Sequence, residues 1–260
     1  MNYEFVHYEK RERVAHITLN RPAVLNALHP PLVAELDAIW LDFMADDALW
    51  VAILSGAGER AFCAGTDLKY RATQADEETL RRPTRVESHV LDQCWKPIIV
   101  AVNGFAVGGG LELALCGDII LAADHAQLGL PEARRGLLAD GGGVLNLPRR
   151  IPYHLAMSMI LTGKFISAQE AHQFGLVNQV VPLNELAATA QAWADAVLEC
   201  APLALQAAKQ AIVKTQDMPL EQAMHTLESL TAVRRLRDSA DYTEGPRAFA
   251  EKRKPVWTGT

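Results

Sequence analysis

The chain has 260 residues, half of them hydrophobic, enough to bury a substantial core in one large domain or in one domain with a small appendage. A formal net charge of −6 argues against general nucleic-acid binding, and the four cysteines, without C-x-x-C or H-x-x-x-H spacing, favour reduced thiols over disulfides or zinc. The N-terminus lacks the basic and apolar stretches of a signal peptide and no apolar run spans a bilayer, so a cytoplasmic protein is expected.

Residues 3–9 and 13–19 alternate as two strands about a polar turn at Glu9 to Glu12, and Asn20-Arg21-Pro22 ends the second. From Pro31 to Met44, Leu32, Leu36, Ile39, Trp40 and Phe43 recur at helical spacing. Trp50 to Leu54 reads as a buried strand closed by Ser55-Gly56-Ala57-Gly58, and residues 71–89 as a polar loop and helix. Strands follow at Ile119 to Ala122 and Leu128 to Leu130, then a glycine-rich turn at Gly136 to Gly143 and a short helix at Val144 to Arg150. Pro152 opens a helix running to Leu161. Another spans Ser167 to Phe174, with capping-box spacing at its start and Gly175 as its stop, before a strand at Val177 to Val181.

Past residue 183 the pattern is helical only, over Leu186–Leu198, Leu203–Thr215 and Leu220–Arg237, with Tyr242 to Thr260 as a charged tail. Ala201-Pro202 interrupts this run and marks a boundary near residues 195–202. Helices added to an α/β body commonly serve assembly. The basic clusters (Arg81, Arg82 and Arg85; Arg134 and Arg135; Arg149 and Arg150; Arg234, Arg235 and Arg237; Lys252 to Lys254) read most simply as solvated faces.

Three stretches carry chemistry. In the first, at residues 97–118, a Val/Ile run reaches Asn103-Gly104, and Gly108-Gly109-Gly110 then strips the side chains from a helix start. Bare amides at the positive end of a helix suit an anion or a polarised carbonyl. Glu112 follows among Leu, Ala and Cys, where an acid is costly unless bonded or functional. The glycine spacing matches neither a dinucleotide fingerprint nor a P-loop. In the second stretch, Phe62-Cys63-Ala64-Gly65-Thr66-Asp67-Leu68-Lys69 follows a strand and fits either a ligand loop or an ordinary turn. In the third, Leu130-Pro131-Glu132-Ala133, Glu132 fits either a helix start or a catalyst. Together with Glu112 it makes a candidate acid/base pair.

These stretches, with Arg21-Pro22, Leu25-Asn26-Ala27-Leu28, Gly175-Leu176-Val177-Asn178 and Phe249 to Pro255, make the chain resemble the enoyl-CoA hydratase/isomerase (crotonase) superfamily over nearly its whole length. The resemblance implies an α/β, ClpP/crotonase-like spiral of repeated ββα units. Residues 1–198 would form the core with the active site. Residues 199–260 would form a helical region for oligomerisation and active-site cover, in trimers paired into hexamers. It implies a coenzyme A thioester as substrate, with no metal or redox cofactor. The thioester oxygen would accept hydrogen bonds from the amides of Thr66 and Gly109, with Glu112 as water activator and Glu132 as the proton donor and acceptor at Cα. Substrate would be held by Ala64, Gly65, Thr66, Asp67, Leu68, Lys69, Gly108, Gly109, Pro131 and Asp140, with Lys69 or residues 252–254 near the CoA phosphates.

The expected reaction is reversible hydration of a trans-2-enoyl-CoA to a 3-hydroxyacyl-CoA. Leu138-Ala139-Asp140-Gly141-Gly142-Gly143 and the C-terminal Glu244 to Arg253 resemble the carnitinyl-CoA dehydratase (crotonobetainyl-CoA hydratase) branch. There Asp140 would meet a cationic acyl group, although Asp before Gly is also ordinary turn chemistry. The alternatives are a Δ3-Δ2-enoyl-CoA isomerase and, from a different class, a non-catalytic acyl-CoA-binding protein.

Overall fold

The computed structural model describes residues 3–74 and 90–260. The large sheet has six strands, in the order β1 (Val6–Arg11), β2 (Val14–Leu19), β3 (Val51–Gly56), β5 (Ile98–Val102), β7 (Ile119–Ala123) and β10 (Gln179–Val181). Its first pair is an antiparallel hairpin and every later pairing is parallel. The small sheet takes β4 (Ala61–Cys63), β6 (Phe105–Val107), β8 (Gln127–Gly129) and β9 (Ile166–Ser167), parallel up to β8 and antiparallel at β9.

Three strand pairs, β3–β4, β5–β6 and β7–β8, each give their first strand to the large sheet and their second to the small one. A helical segment follows each pair: α2 (Leu68–Gln74), α3 (Gly109–Leu115) and a 3₁₀ turn at Glu132–Arg135. This is a spiral of ββα units. What repeats is the path of the backbone, so residue identities show no period.

Both faces of the central strands are covered, which is why they read as unbroken apolar runs. On β3 and β5, Ala52, Leu54, Ile98, Val100 and Val102 face the main core with Trp40 and Phe43 of α1 (Pro30–Ala45). The alternate residues Val51, Ile53, Ile99 and Ala101 meet Leu186, Ala190 and Ala194 of α7 (Leu183–Leu198). Between these lie α4 (Gly143–Arg150), α5 (Tyr153–Thr162) and α6 (Ala168–Gln173). The Ser167–Glu170 capping box at the start of α6 is formed in both directions.

The C-terminal helices are α8 (Pro202–Thr215), α9 (Leu220–Ser229), α10 (Thr231–Arg237) and α11 (Ala240–Ala250). They are tied back to the sheet: Lys209 Nζ donates to Lys96 O at 3.1 Å and pairs with Asp118 at 2.7 Å. No single described helix is long and apolar enough to cross a membrane.

Several expectations are corrected. The hairpin turn is confined to residues 12–13, with Glu12 at φ +52°, and Glu9 to Arg11 belong to β1. Charged side chains on an edge strand had the look of a turn. The helix expected over Leu220–Arg237 breaks at Leu230, which is extended, because the buried Gln210 side chain accepts from Ala232 N at 2.9 Å and caps the second piece. The charged tail contains α11. Ser239 caps it, and its buried Asp241 accepts hydrogen bonds from the amides of Thr258 and Gly259. These tertiary anchors outweigh the helix-breaking Gly245 and Pro246. Of the polar stretch at 71–89, residues 75–89 lie outside the described residues, as do Arg81, Arg82 and Arg85.

Candidate active site

Because β4, β6 and β8 run parallel side by side, their C-terminal ends share one edge of the small sheet. Ala64 to Lys69 leaves β4, Gly108 to Glu112 leaves β6, and Leu130 to Glu132 leaves β8. The three stretches are therefore delivered to one place, where parallel sheets commonly bind ligands. There a cavity of about 490 Å³ is lined by Ala64, Gly65, Thr66, Asp67, Leu68, Lys69, Gly108, Gly109, Glu112, Pro131, Glu132 and Asp140. Its remaining wall comes from Ala23, Val24, Leu25, Ala27, Arg60, Val107, Arg135, Leu137, Leu138 and Phe165.

Glycine is required at the crossing of the first two stretches. Gly65 and Gly108 have φ of +82° and +58°, and a Cβ on Gly65 would come within 2.7 Å of Val107 O and 3.0 Å of Gly109 N. Gly110 lies so close to β4 that a Cβ there would stand 2.0 Å from Cys63 O. Gly109 is the first residue of α3, where an amide has no intrahelical partner. Neither its N–H nor that of Thr66 donates to any described residue. A Cβ built on Gly109 would lie 3.7 Å from Thr66 N, so the two amides are close neighbours.

The loop before α1 fixes the Thr66 side. Ala64 N donates to Leu25 O, Leu28 N to Gly65 O and Asp67 N to Leu28 O. Asn26 sits at φ +54°, fully buried, and its amide donates to Ala57 O and Ala61 O. Asp67 pairs with Arg21 at 3.1 Å and accepts from Tyr70 N at 3.0 Å. Burial raises its pKa, but the Tyr70 amide and the Arg21 guanidinium outweigh that and hold the carboxyl below its ordinary range. Asp67 is thus a fixed anion that ties the loop.

The other two acids are placed differently. Glu112 is 7% exposed among Leu111, Leu113, Ala114 and Leu115, and its Oε1 accepts from Gly143 N at 2.9 Å. Gly143 opens α4, so the carboxylate faces the positive end of that helix. A Cβ on Gly143 would approach Oε1 to 2.9 Å. Glu132 opens the 3₁₀ turn, and its Oε2 is buried with no hydrogen-bond partner. Burial pushes its pKa up and the Asp140 charge adds to this, while a backbone hydrogen bond and the Arg135 charge oppose it. One cavity therefore holds one carboxyl anchored by a backbone amide and a second whose pKa burial raises.

In the sequence Gly143 reads only as part of a glycine-rich turn. The rule that a helix start holds an acid, applied to Gly141-Gly142-Gly143, would have singled it out. Arg135, which the sequence places in a solvated basic cluster, lines the cavity. None of the lining residues comes from 199–260, so Lys252 to Lys254 lie off the cavity wall. Arg253 is instead paired with Glu244 at 2.6 Å. Cys63, Cys94, Cys116 and Cys200 form no disulfide with one another, and burial pushes Cys63 up to about 12.

Comparison with known proteins gives a consistent set of matches. A family model described as enoyl-CoA hydratase/isomerase matches residues 9–260. The chain is 44% identical over 254 residues to the (E)-benzylidenesuccinyl-CoA hydratase of Thauera aromatica, covering 96% of this chain and 98% of that one. It is 42% identical over 262 residues to the carnitinyl-CoA dehydratase of Escherichia coli K12, covering 98% and 99%. Among solved structures, an enoyl-CoA hydratase from Bacillus anthracis superposes with a TM-score of 0.92 at 37% identity, over 99% of this chain and 100% of that one.

Proposed function

Because the chain belongs to the enoyl-CoA hydratase/isomerase family, we propose that Glu112 and Glu132 together add water across the α,β double bond of a trans-2-enoyl-CoA. The observation that carries this reading is the opening of both carboxyls onto one cavity beside two unengaged amides. With the thioester oxygen at the Thr66 and Gly109 N–H groups, electron density moving from Cβ attack onto that oxygen is met by fixed donors. The Glu112 carboxylate, oriented by Gly143, accepts a proton from water as its oxygen attacks Cβ. Glu132, whose pKa burial raises, delivers a proton to Cα. The product is a 3-hydroxyacyl-CoA, and the reverse path is dehydration. The chemistry is carried by the chain's own groups, with no metal or redox cofactor assigned a step.

CoA is assigned to the side lined by Ala64 to Lys69, with the Lys69 ammonium toward its phosphates. The family likeness supports a homotrimer paired into hexamers in the cytoplasm. Side chains exposed on the C-terminal helices (Ile212, Leu220, Met224 and Phe249) support burial of that region in an assembly. A second reading, a cationic acyl group facing Asp140, is supported by that residue's place on the wall and by the likeness to carnitinyl-CoA dehydratase.

The test is incubation with trans-2-enoyl-CoAs in oxygen-18 water, following loss of the conjugated-thioester absorbance and label in the product. A labelled 3-hydroxyacyl-CoA is expected. Double-bond migration without label would show an isomerase instead, and binding without turnover a non-catalytic acyl-CoA-binding protein.

A further inference from the structure

The two consecutive arginines that follow Glu132 face opposite ways. Arg134 Nε donates to Thr162 O at 2.7 Å, its stem packs on Gly163, and its charge caps the carbonyl end of α5. Arg135 lines the cavity and makes no hydrogen bond or ion pair with any described residue. In a 3₁₀ turn residues three apart share a face, so Arg135, which is exposed, lies on the side of the turn that carries Glu132, and both line the cavity.

Resting on the hydratase reading above, we infer that Arg135 is a specificity-determining residue that grips a carboxylate carried on the acyl group, so that the preferred substrates are trans-2-enoyl-CoAs with an acidic acyl end. A guanidinium presents two parallel donors matched to a carboxylate. The charge of Arg135 lowers the pKa of Glu132 and so works against the proton donor while the cavity holds no anion. A substrate carboxylate on Arg135 cancels that effect, and Glu132 becomes a better-protonated acid once such a substrate is bound. Asp140, on the same wall, already has two roles without a ligand: an Asp-Gly turn, and a charge that raises Glu132. The observations therefore favour the acidic class over the cationic one.

The experiment compares three trans-2-enoyl-CoAs of matched length, ending in a carboxylate, a methyl group or a trimethylammonium, with the wild type, Arg135→Leu and Arg135→Lys. The ratio of kcat/KM for the acidic over the neutral substrate is expected to fall about tenfold in Arg135→Leu, the scale of one charge-assisted pair at a partly wet site, and less in Arg135→Lys. The alkaline limb of the kcat–pH profile, where Glu132 loses its proton, is expected to extend to higher pH with the acidic substrate than with the neutral one, in the wild type only. An unchanged ratio, equal loss with all three substrates (a CoA-phosphate or folding role), or a wild-type preference for the trimethylammonium would overturn the inference. Calorimetric binding of succinyl-CoA against butyryl-CoA reads the same ratio without turnover. A ratio that depends on Arg135 there, with no hydration anywhere, would sink the hydratase reading alone.

Discussion

Glu132 carries the plainest consequence of burial at the residue scale. Its pKa lies above the ordinary 4.5 because burial penalises the charged form. A group whose folded pKa is raised contributes its full stability below the unfolded pKa and loses it as pH rises through the folded value. Glu132→Gln does not titrate and so escapes that loss. Its Tm, measured by calorimetry, should match wild type below pH 4.5 and exceed it increasingly toward neutrality. A wild type that remains the more stable at pH 7 would show that Glu132 is not desolvated as described. Glu112 and Glu132 could be found in the sequence because each is an acid where local structure has little use for one. Arg135 could not, since nothing local separates a cavity-lining arginine from a solvated one, and Gly143 could only through its place in a glycine run at a helix start.

The N-terminus of α3 is the decisive part at the scale of elements. Its first amide has no partner in the fold, and proline is tolerated at a first helical position. Gly109→Pro therefore removes one N–H without removing an intrahelical bond, and a Cβ there would meet Leu28 Cδ1, Gly65 Cα and Thr66 N at ordinary contact distances of 3.5 to 3.7 Å. The variant should keep its circular dichroism spectrum while kcat falls about 100- to 1000-fold, as for loss of one oxyanion donor. A folded variant with a wild-type rate would remove Gly109 from the oxyanion site. The long strands and helices were legible from periodicity, and the α6 capping box from four residues. The strands β4 and β6 were not. At three residues each they are too short for a period, and their close packing depends on Gly104 and Gly110, on either side of β6, which approach Arg60 and Cys63 at the two ends of β4.

At the scale of the whole molecule, the spiral matters because it stacks three short parallel strands whose ends release the three site-bearing segments together. No local pattern in residues 64–69, 108–112 or 130–132 encodes that meeting. It followed from the combined likeness of the motifs, and in the fold it follows from strand order. The cavity also explains why the acids differ: Glu112 is held by a helix start on one wall, Glu132 is desolvated on another, and Asp67 is neutralised by Arg21 behind the loop. The central claim is that the first two act as one unit on one water. The most direct test is the rate of crotonyl-CoA hydration by Glu112→Gln and Glu132→Gln, each checked for wild-type folding. Each substitution should lower kcat at least about 100-fold, the usual scale for a lost general acid or base. Near wild-type hydration by either variant would contradict the account.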